Sequence, residues 1–376
     1  MSGASALSVN KAVLPLLATT QFLMTVDTTV MNVSISALVE DLDTSVTAIQ
    51  AVITAYTLVM AASMITGGKL GDLLGRRRAL RIGLVVYAAG SALTALSPNV
   101  VVLFLGWSVL EGLGAALIMP TVTALVAGNF TGQERARAYG VIAASAAVAV
   151  AAGPIIGGFV TASFSWRWVF AAEVLIALGI LVGSARIPDV AVEQRPKLDG
   201  VGALLSAVGL AVIVLGVLQS SSWGWVAPRI ASGPEATPQL AGISLTAWLV
   251  LTGLAVLWLL AEWLDRRKAR GQAPLFDPAL LESRQLRGGL SVLLTQYLVS
   301  SGLFFTVPLY LSIVLGLDAF ETGIRMLPLS LALVLVAPAV PRFAPHASPR
   351  RVARIGLLLL VAAALLLAAL LGYNSA

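Results

Sequence analysis

The chain contains no cysteine and a single histidine, His346. Without thiols there is no disulfide, no thiolate metal site and no cysteine nucleophile, and one imidazole cannot build a metal centre by itself. Neither a metal nor a bound cofactor is expected. Charge is equally scarce. Asp, Glu, Lys and Arg make up 11% of the 376 residues, where a water-soluble domain carries about a quarter. With 58% hydrophobic residues and a mean hydropathy of +0.93, no water-exposed fold could hide that much apolar surface.

What is present is a series of apolar runs of about 15 to 27 residues, most of them long enough to cross a hydrocarbon core of about 30 Å as a helix. Eleven spans are predicted: Val13–Leu38, Ile49–Gly67, Ile82–Leu96, Val100–Val126, Tyr139–Ala162, Val169–Ser184, Val201–Leu218, Ile243–Ala261, Leu290–Leu315, Ile324–Val340 and Ile355–Leu371. The first is too long for the apolar stretch of a signal peptide, contains Asp27 and has no clear small-residue cleavage site after it, so it counts as a span. A cytoplasmic N-terminus puts all but Arg167, Arg229 and Arg325 of the 24 basic residues on the inner side, the bias that the positive-inside rule requires. The net charge of +6 is therefore a topology signal for an inner or plasma membrane. The expected partner is the lipid bilayer, and no nucleic acid is expected.

Arg77-Arg78-Ala79-Leu80-Arg81-Ile82-Gly83-Leu84, after span two, is echoed by Arg350-Arg351-Val352-Ala353-Arg354-Ile355-Gly356-Leu357, after span ten. Span ten thus plays the part of a second helix in a repeated half, an arrangement common among transporters. The expected organisation is a six-helix N-terminal bundle over 1–184, linkers and two inserted spans over 185–289, and the first three helices of a C-terminal bundle over 290–376. Eleven spans put Ala376 outside, and the chain is expected to be truncated or partial. The linkers Ser184–Gly200 and Glu262–Arg287 are basic and Pro-interrupted. An outer loop, Gln219–Gln239, holds Trp223 and Trp225 at the interface and is expected to be mobile.

Of 18 acidic residues, only Asp27, Glu111 and Glu173 lie well inside predicted spans. A carboxylate in hydrocarbon is costly unless paired, hydrated in a cavity or protonated, and no basic residue lies deep in these spans. Asp27 and Glu111 count to mid-membrane. Glu173 counts to about five residues inside span six and ranks below them. A structural alternative is a neutral carboxyl bonded to a neighbouring helix. His346, beside Pro345, reads as an ordinary loop residue.

Three motifs stand out. Gly68-Lys69-Leu70-Gly71-Asp72-Leu73-Leu74-Gly75-Arg76-Arg77 forms the turn after span two, Gly153-Pro154-Ile155-Ile156-Gly157-Gly158 lies in span five, and Asp27-Thr28-Thr29-Val30-Met31-Asn32-Val33 lies in span one. The first resembles motif A of the major facilitator superfamily, carrying Gly68, Asp72, Gly75, Arg76 and Arg77 at the expected spacing. Its glycines permit a tight turn, and Asp72 among arginines can form charge-assisted bonds. The second resembles the antiporter motif C, with Pro154 bending the helix and Gly153, Gly157 and Gly158 letting another helix close in. The third is similar to the span-one signature of the 14-span drug:proton antiporters, a branch that also has the inserted helix pair. Trp166–Phe170, Pro274–Asp277 and Gly323–Pro328 extend the likeness. Motif B departs from the pattern, with Ser108 at the usual Arg and Glu111 at the usual Gln, so that arginine's proton handling is not carried over.

The resemblance implies an all-α polytopic membrane protein with the major facilitator fold and no enzymatic activity. It implies proton-coupled export of a small amphipathic or hydrophobic molecule, such as a drug or antibiotic, by alternating access. The proton gradient is the energy source. Asp27, Glu111, Glu173 and Asn32 are the coupling or cavity residues, and Phe22, Met24, Trp107, Met119 and Phe305 are candidates for an adaptable wall. A truncated, non-transporting remnant is the alternative. An intramembrane enzyme is less favoured, because nucleophile, metal set and paired acids on one span are all missing.

Overall fold

The computed structural model describes residues 3–31, 34–188, 198–230, 237–316 and 347–373, together with 325, 328, 331, 332, 335 and 336. Over these the chain is helical except for turns and a small hairpin, Gln239–Leu240 paired with Ile243–Ser244. The helices are α1 (Gly3–Val30), α2 (Ile35–Asp41), α3 (Val46–Leu74), α4 (Arg76–Ala95), α5 (Val100–Asn129), α6 (Gly132–Ser163), α7 (Arg167–Gly183), α8 (Gly200–Trp223), α9 (Leu245–Ala269), α10 (Arg284–Ile313) and α11 (Pro349–Tyr373). A single turn, Ala279–Glu282, precedes α10.

In a bilayer each segment must satisfy its own backbone donors and acceptors, which only helices do here. Several starts are fixed by side chains that accept orphan N–H groups. Ser45 accepts from Ala48, Asn99 from Val101 and Val102, Ser244 from Thr246, and Ser283 from Leu286. Among the described residues, seven helices are long and apolar enough to cross a membrane. The count is eight if α6, bent by 43° between Gly132–Val150 and Ile155–Ser163, is one span. Pro154, which lacks an N–H to donate, falls in that bend. Predicted span ten lies almost wholly outside the described residues, as does His346.

Three expectations are corrected. The first predicted span, Val13–Leu38, is not one helix: α1 ends at Val30, and the separate α2 begins at Ile35. Motif A is not a loop, because α3 continues to Leu74, α4 begins at Arg76, and only Gly75, at φ +88, lies between them. A side chain in that left-handed conformation would be strained, so the turn selects glycine. The linker Glu262–Arg287 is shorter than expected, since α9 runs on to Ala269 and α10 starts at Arg284. Charged residues at helix ends extend into the headgroup layer without interrupting the helix, which a hydropathy count cannot register. The outer loop is tied down on its described residues: Ser244 donates to the carbonyls of Val226 and Gly224, both at 2.8 Å, and Trp248 Nε1 donates to that of Leu240 at 3.1 Å.

The chain divides into two compact units, Met1–Asp277 and Pro278–Ala376. In the first, α1, α3, α4, α5, α6 and α7 share one core, with Leu17, Tyr56, Tyr87, Trp107, Trp166 and Phe170 among its largest buried side chains. α8 and α9 pair with one another, and α8 also packs on α3. Asp199, fully buried, fastens that pair. It caps α8 by accepting from the Gly202 N–H at 2.9 Å, accepts from Trp263 Nε1 at 3.1 Å and lies 3.5 Å from Arg267 Nη1 on α9. In the second unit α10 and α11 touch one another.

Candidate functional site

α1, α5 and α7 each bring one acid to the same place. Asp27, Glu111 and Glu173 are 0%, 0% and 2% exposed, and one carboxylate oxygen from each lies within 4.8 Å of the others. Glu173, ranked below the other two for its shallow depth, is near that depth, but proximity does not separate it from them. It lies six residues into α7, about 9 Å along the axis, yet it joins the cluster. The reason is that Asp27 stands three residues before the end of α1 at Val30 and not at the middle of a longer helix. Asn32 lies outside the described residues.

The local sequence explains how the acids arrive. Residues Phe104–Glu111 of α5 form a π-helical stretch, a rare form frequent at functional sites. It turns Trp107, Ser108 and Glu111 together into the core. Gly90 of α4 and Gly106 of α5 let the two backbones meet. A Cβ on Gly90 would stand 2.7 Å from Glu111 Cγ, and one on Gly106 would stand 2.5 Å from Thr94 Oγ1.

Every acid has one hydrogen-bonded oxygen and one left over. Trp107 Nε1 donates to Asp27 Oδ1 at 3.1 Å, Thr94 Oγ1 donates to Glu111 Oε1 at 3.2 Å, and Tyr87 OH donates to Glu173 Oε2 at 3.0 Å with Ser91 Oγ at 3.5 Å. Asp27 Oδ2, Glu111 Oε2 and Glu173 Oε1 are buried without a hydrogen-bond partner. The buried Tyr56 hydroxyl faces Asp27, short of hydrogen-bonding geometry. Rings close the cluster: Trp107 meets Phe170 edge-on at 5.5 Å and Tyr56 at 6.2 Å. No Lys, Arg or His bonds to any of the three acids among the described residues. Tyr56, Tyr87, Ser91 and Thr94 were missed from sequence, although Tyr87, Ser91 and Thr94 recur at the spacing of one helix face in an apolar span. The three hard oxygens could also bridge a cation, a chemistry the lack of Cys and His does not touch.

Of the expected wall residues, Trp107 and Met24 are buried and Phe22 and Met119 are half-buried. The Phe305 side chain lies outside the described residues.

Motif C sits beside the cluster. A Cβ on Gly153 would reach to 2.1 Å from Thr29 Oγ1, and one on Gly157 to 2.3 Å from the Val30 carbonyl oxygen, so these two glycines seat α6 on the turn of α1 that holds Asp27. A Cβ on Gly158 would meet nothing within 4 Å among the described residues. In motif A, Asp72 pairs with Arg76, and Arg77 Nη1 donates to the Ile187 carbonyl at 3.3 Å, joining α4 to the end of α7. A Cβ on Gly68 would make only ordinary contact with Pro120, at 3.6 Å, whereas one on Gly67 would strike the Ala116 carbonyl oxygen at 2.2 Å. At the opposite end of the bundle Arg167 pairs with Asp41, donates to the Ser97 carbonyl at 2.8 Å and stacks on Trp166 at 4.4 Å.

Similar proteins agree with this architecture. The chain is 32% identical over 350 residues to the puromycin resistance protein of Streptomyces alboniger, covering 92% of this chain and 65% of that one. It is 31% identical over 319 residues to the probable actinorhodin transporter of Streptomyces coelicolor, covering 83% and 52%. With the tetracenomycin C resistance and export protein of Streptomyces glaucescens it shares 30% identity over 330 residues, covering 86% and 57%. The chain thus spans between 52% and 65% of the length of these relatives. Among solved structures, the human organic anion transporter MFSD10 superposes with a TM-score of 0.56 at 16% identity, over 88% of this chain and 73% of that one. The proton:xylose symporter XylE gives 0.55 at 16% identity, over 89% and 70%. These relatives are transporters and not enzymes. A family model described as Major Facilitator Superfamily matches residues 17–376, and the chain, an all-α multi-pass membrane protein, belongs to that superfamily.

Proposed function

We propose that this protein takes part in proton-coupled antiport, exporting a small amphipathic or hydrophobic compound by alternating access, with Asp27, Glu111 and Glu173 as a shared proton carrier. The observation that carries the proposal is the meeting of three carboxyl groups from three helices in one enclosed volume without a cationic partner among the described residues. At 4.8 Å, two like charges repel by about 3.5 kcal/mol at an effective dielectric of about 20. Three charges in a sealed space are therefore untenable, and the closed cluster holds protons. Opening between α4 and α5 would wet the acids and release protons to one side; reclosure after access from the other side would reload them. The resistance and export activities named for the streptomycete relatives support an antibiotic-like cargo. A cytoplasmic N-terminus and the 14-span branch belong to the same proposal.

The test is dye efflux from vesicles carrying the protein under an imposed pH gradient. Asp27→Asn, Glu111→Gln and Glu173→Gln are each expected to lower gradient-driven efflux by at least ten-fold. Unchanged rates in all three would remove the assignment. A bound cation is the second reading, favoured by the three unpartnered oxygens. Efflux driven by a sodium gradient at equal pH would select it.

A further inference from the structure

A groove of about 360 Å³ runs down the side of the first unit, lined by Arg78, Arg81, Ile82, Val85 and Val86 of α4 and Leu181 of α7. From Arg78 to Val86 it follows about 12 Å of helix. The two arginines stand at one end, three positions apart and so on one face, and the rest of the lining is apolar. No acidic residue lines the groove among the described residues. Among the described residues neither guanidinium makes a hydrogen bond or ion pair, in contrast to Arg76 and Arg77 beside them. The bond from Arg77 to the Ile187 carbonyl holds the ends of α4 and α7 together there. The walls continue into lipid-facing surface, with Val85 53%, Leu178 45% and Val182 78% exposed.

We infer that this groove binds an anionic phospholipid, its phosphate on Arg78 and Arg81 and one acyl chain along Val85, Val86 and Leu181. The charge pattern selects the occupant. A free anion would satisfy the arginines and leave the apolar floor bare; a neutral lipid would cover the floor and leave two cations unmatched. An anionic lipid from the same leaflet satisfies both, as basic pockets between membrane helices do generally. The site lies outside the carboxylate cluster and does not depend on the proposed coupling. Because Arg78 and Arg81 follow directly on motif A, lipid bound there would brace the α3–α4 turn.

The experiment measures dioleoylphosphatidylglycerol and dioleoylphosphatidylcholine binding to the purified full chain by native mass spectrometry. The two lipids share chains and differ in headgroup charge. Two arginines attracted to a headgroup of net negative charge, about 1 kcal/mol each, give an expected phosphatidylglycerol preference of about 30-fold. Arg78→Gln with Arg81→Gln should abolish that preference, whereas the exposed pair Arg284→Gln with Arg287→Gln should keep it. Val85→Trp, which fills the groove from an exposed position, should weaken both lipids. Inorganic phosphate at millimolar concentration should not displace the lipid. The inference is overturned by equal binding of the two lipids, by equal losses in the two arginine double variants, by an unaffected Val85→Trp variant, or by displacement with phosphate.

Discussion

At the scale of single residues, the buried acids take their environment from donors on other helices. Trp107 Nε1 donates to Asp27 across α5 and α1, and Trp107→Phe keeps the ring while removing that donor. It is expected to leave Asp27 with two bare oxygens and to cut gradient-driven efflux several-fold, with little loss of protein from the membrane. The check is efflux normalised to the amount of protein. Asp199 offers a stability test away from the cluster. Asp199→Ala removes a helix cap, worth about 1 kcal/mol, and takes from Trp263 and Arg267 their shared buried acceptor, leaving Arg267 only its bond to the Ala273 carbonyl and its contact with the Trp263 ring. A clear fall in melting temperature in detergent is expected, and an unchanged one would contradict the role given to Asp199. Which acids existed was legible from the scarcity of charge in apolar runs. That Glu173 joins the other two was not, because depth counted along one helix carries no information about where a neighbouring helix breaks, and α1 breaks at Val30.

At the scale of elements, helix contacts depend on missing side chains. Gly90 and Gly106 seal α4 against α5 over Glu111, and Gly157 seats α6 on Val30. Gly90→Ala would place a methyl group inside contact distance of Glu111, forcing a shift that costs about 1–3 kcal/mol. Lower thermal stability is expected, together with impaired efflux, since the acids would no longer close on one another. By contrast Gly158→Ala, with nothing within 4 Å, should be neutral on both measures. Equal damage from Gly90→Ala and Gly158→Ala would show that general helix disruption, and not the α4–α5 approach, sets the outcome. The sequence marked Gly153 and Gly157 through a resemblance to motif C and gave no reason to separate them from Gly158. Packing separates them, because the helix face that holds Gly153 and Gly157, four apart, is the one set against α1, and Gly158 is turned off it.

At the scale of the whole molecule, the proposed orientation in the membrane rests on charge: Arg76, Arg77, Arg78 and Arg81 gather at one end of the first unit and Arg167 at the other. Because the chain has no native cysteine, single substitutions can be labelled without background. Ser222→Cys, at the exposed end of α8, is expected to react with an impermeant maleimide applied to intact cells. Gln272→Cys, just beyond α9, should react only after permeabilisation. The reverse pattern would invert the proposed topology.

Membrane class, the family resemblance and the rough places of most helices, though not their ends, were readable in the linear chain, since burying a backbone in lipid forces long apolar helices and confines charge to their ends. So was the identity of the three acids, because an ionisable group in such a run is too costly to be incidental. Tertiary structure alone decided that the three meet, that Tyr56, Tyr87, Ser91 and Thr94 surround them, and that two arginines of the α3–α4 turn are left facing an apolar groove. Those facts depend on where helices bend, break and approach. Such distances are set by packing between segments far apart in sequence, for which no local spacing rule exists.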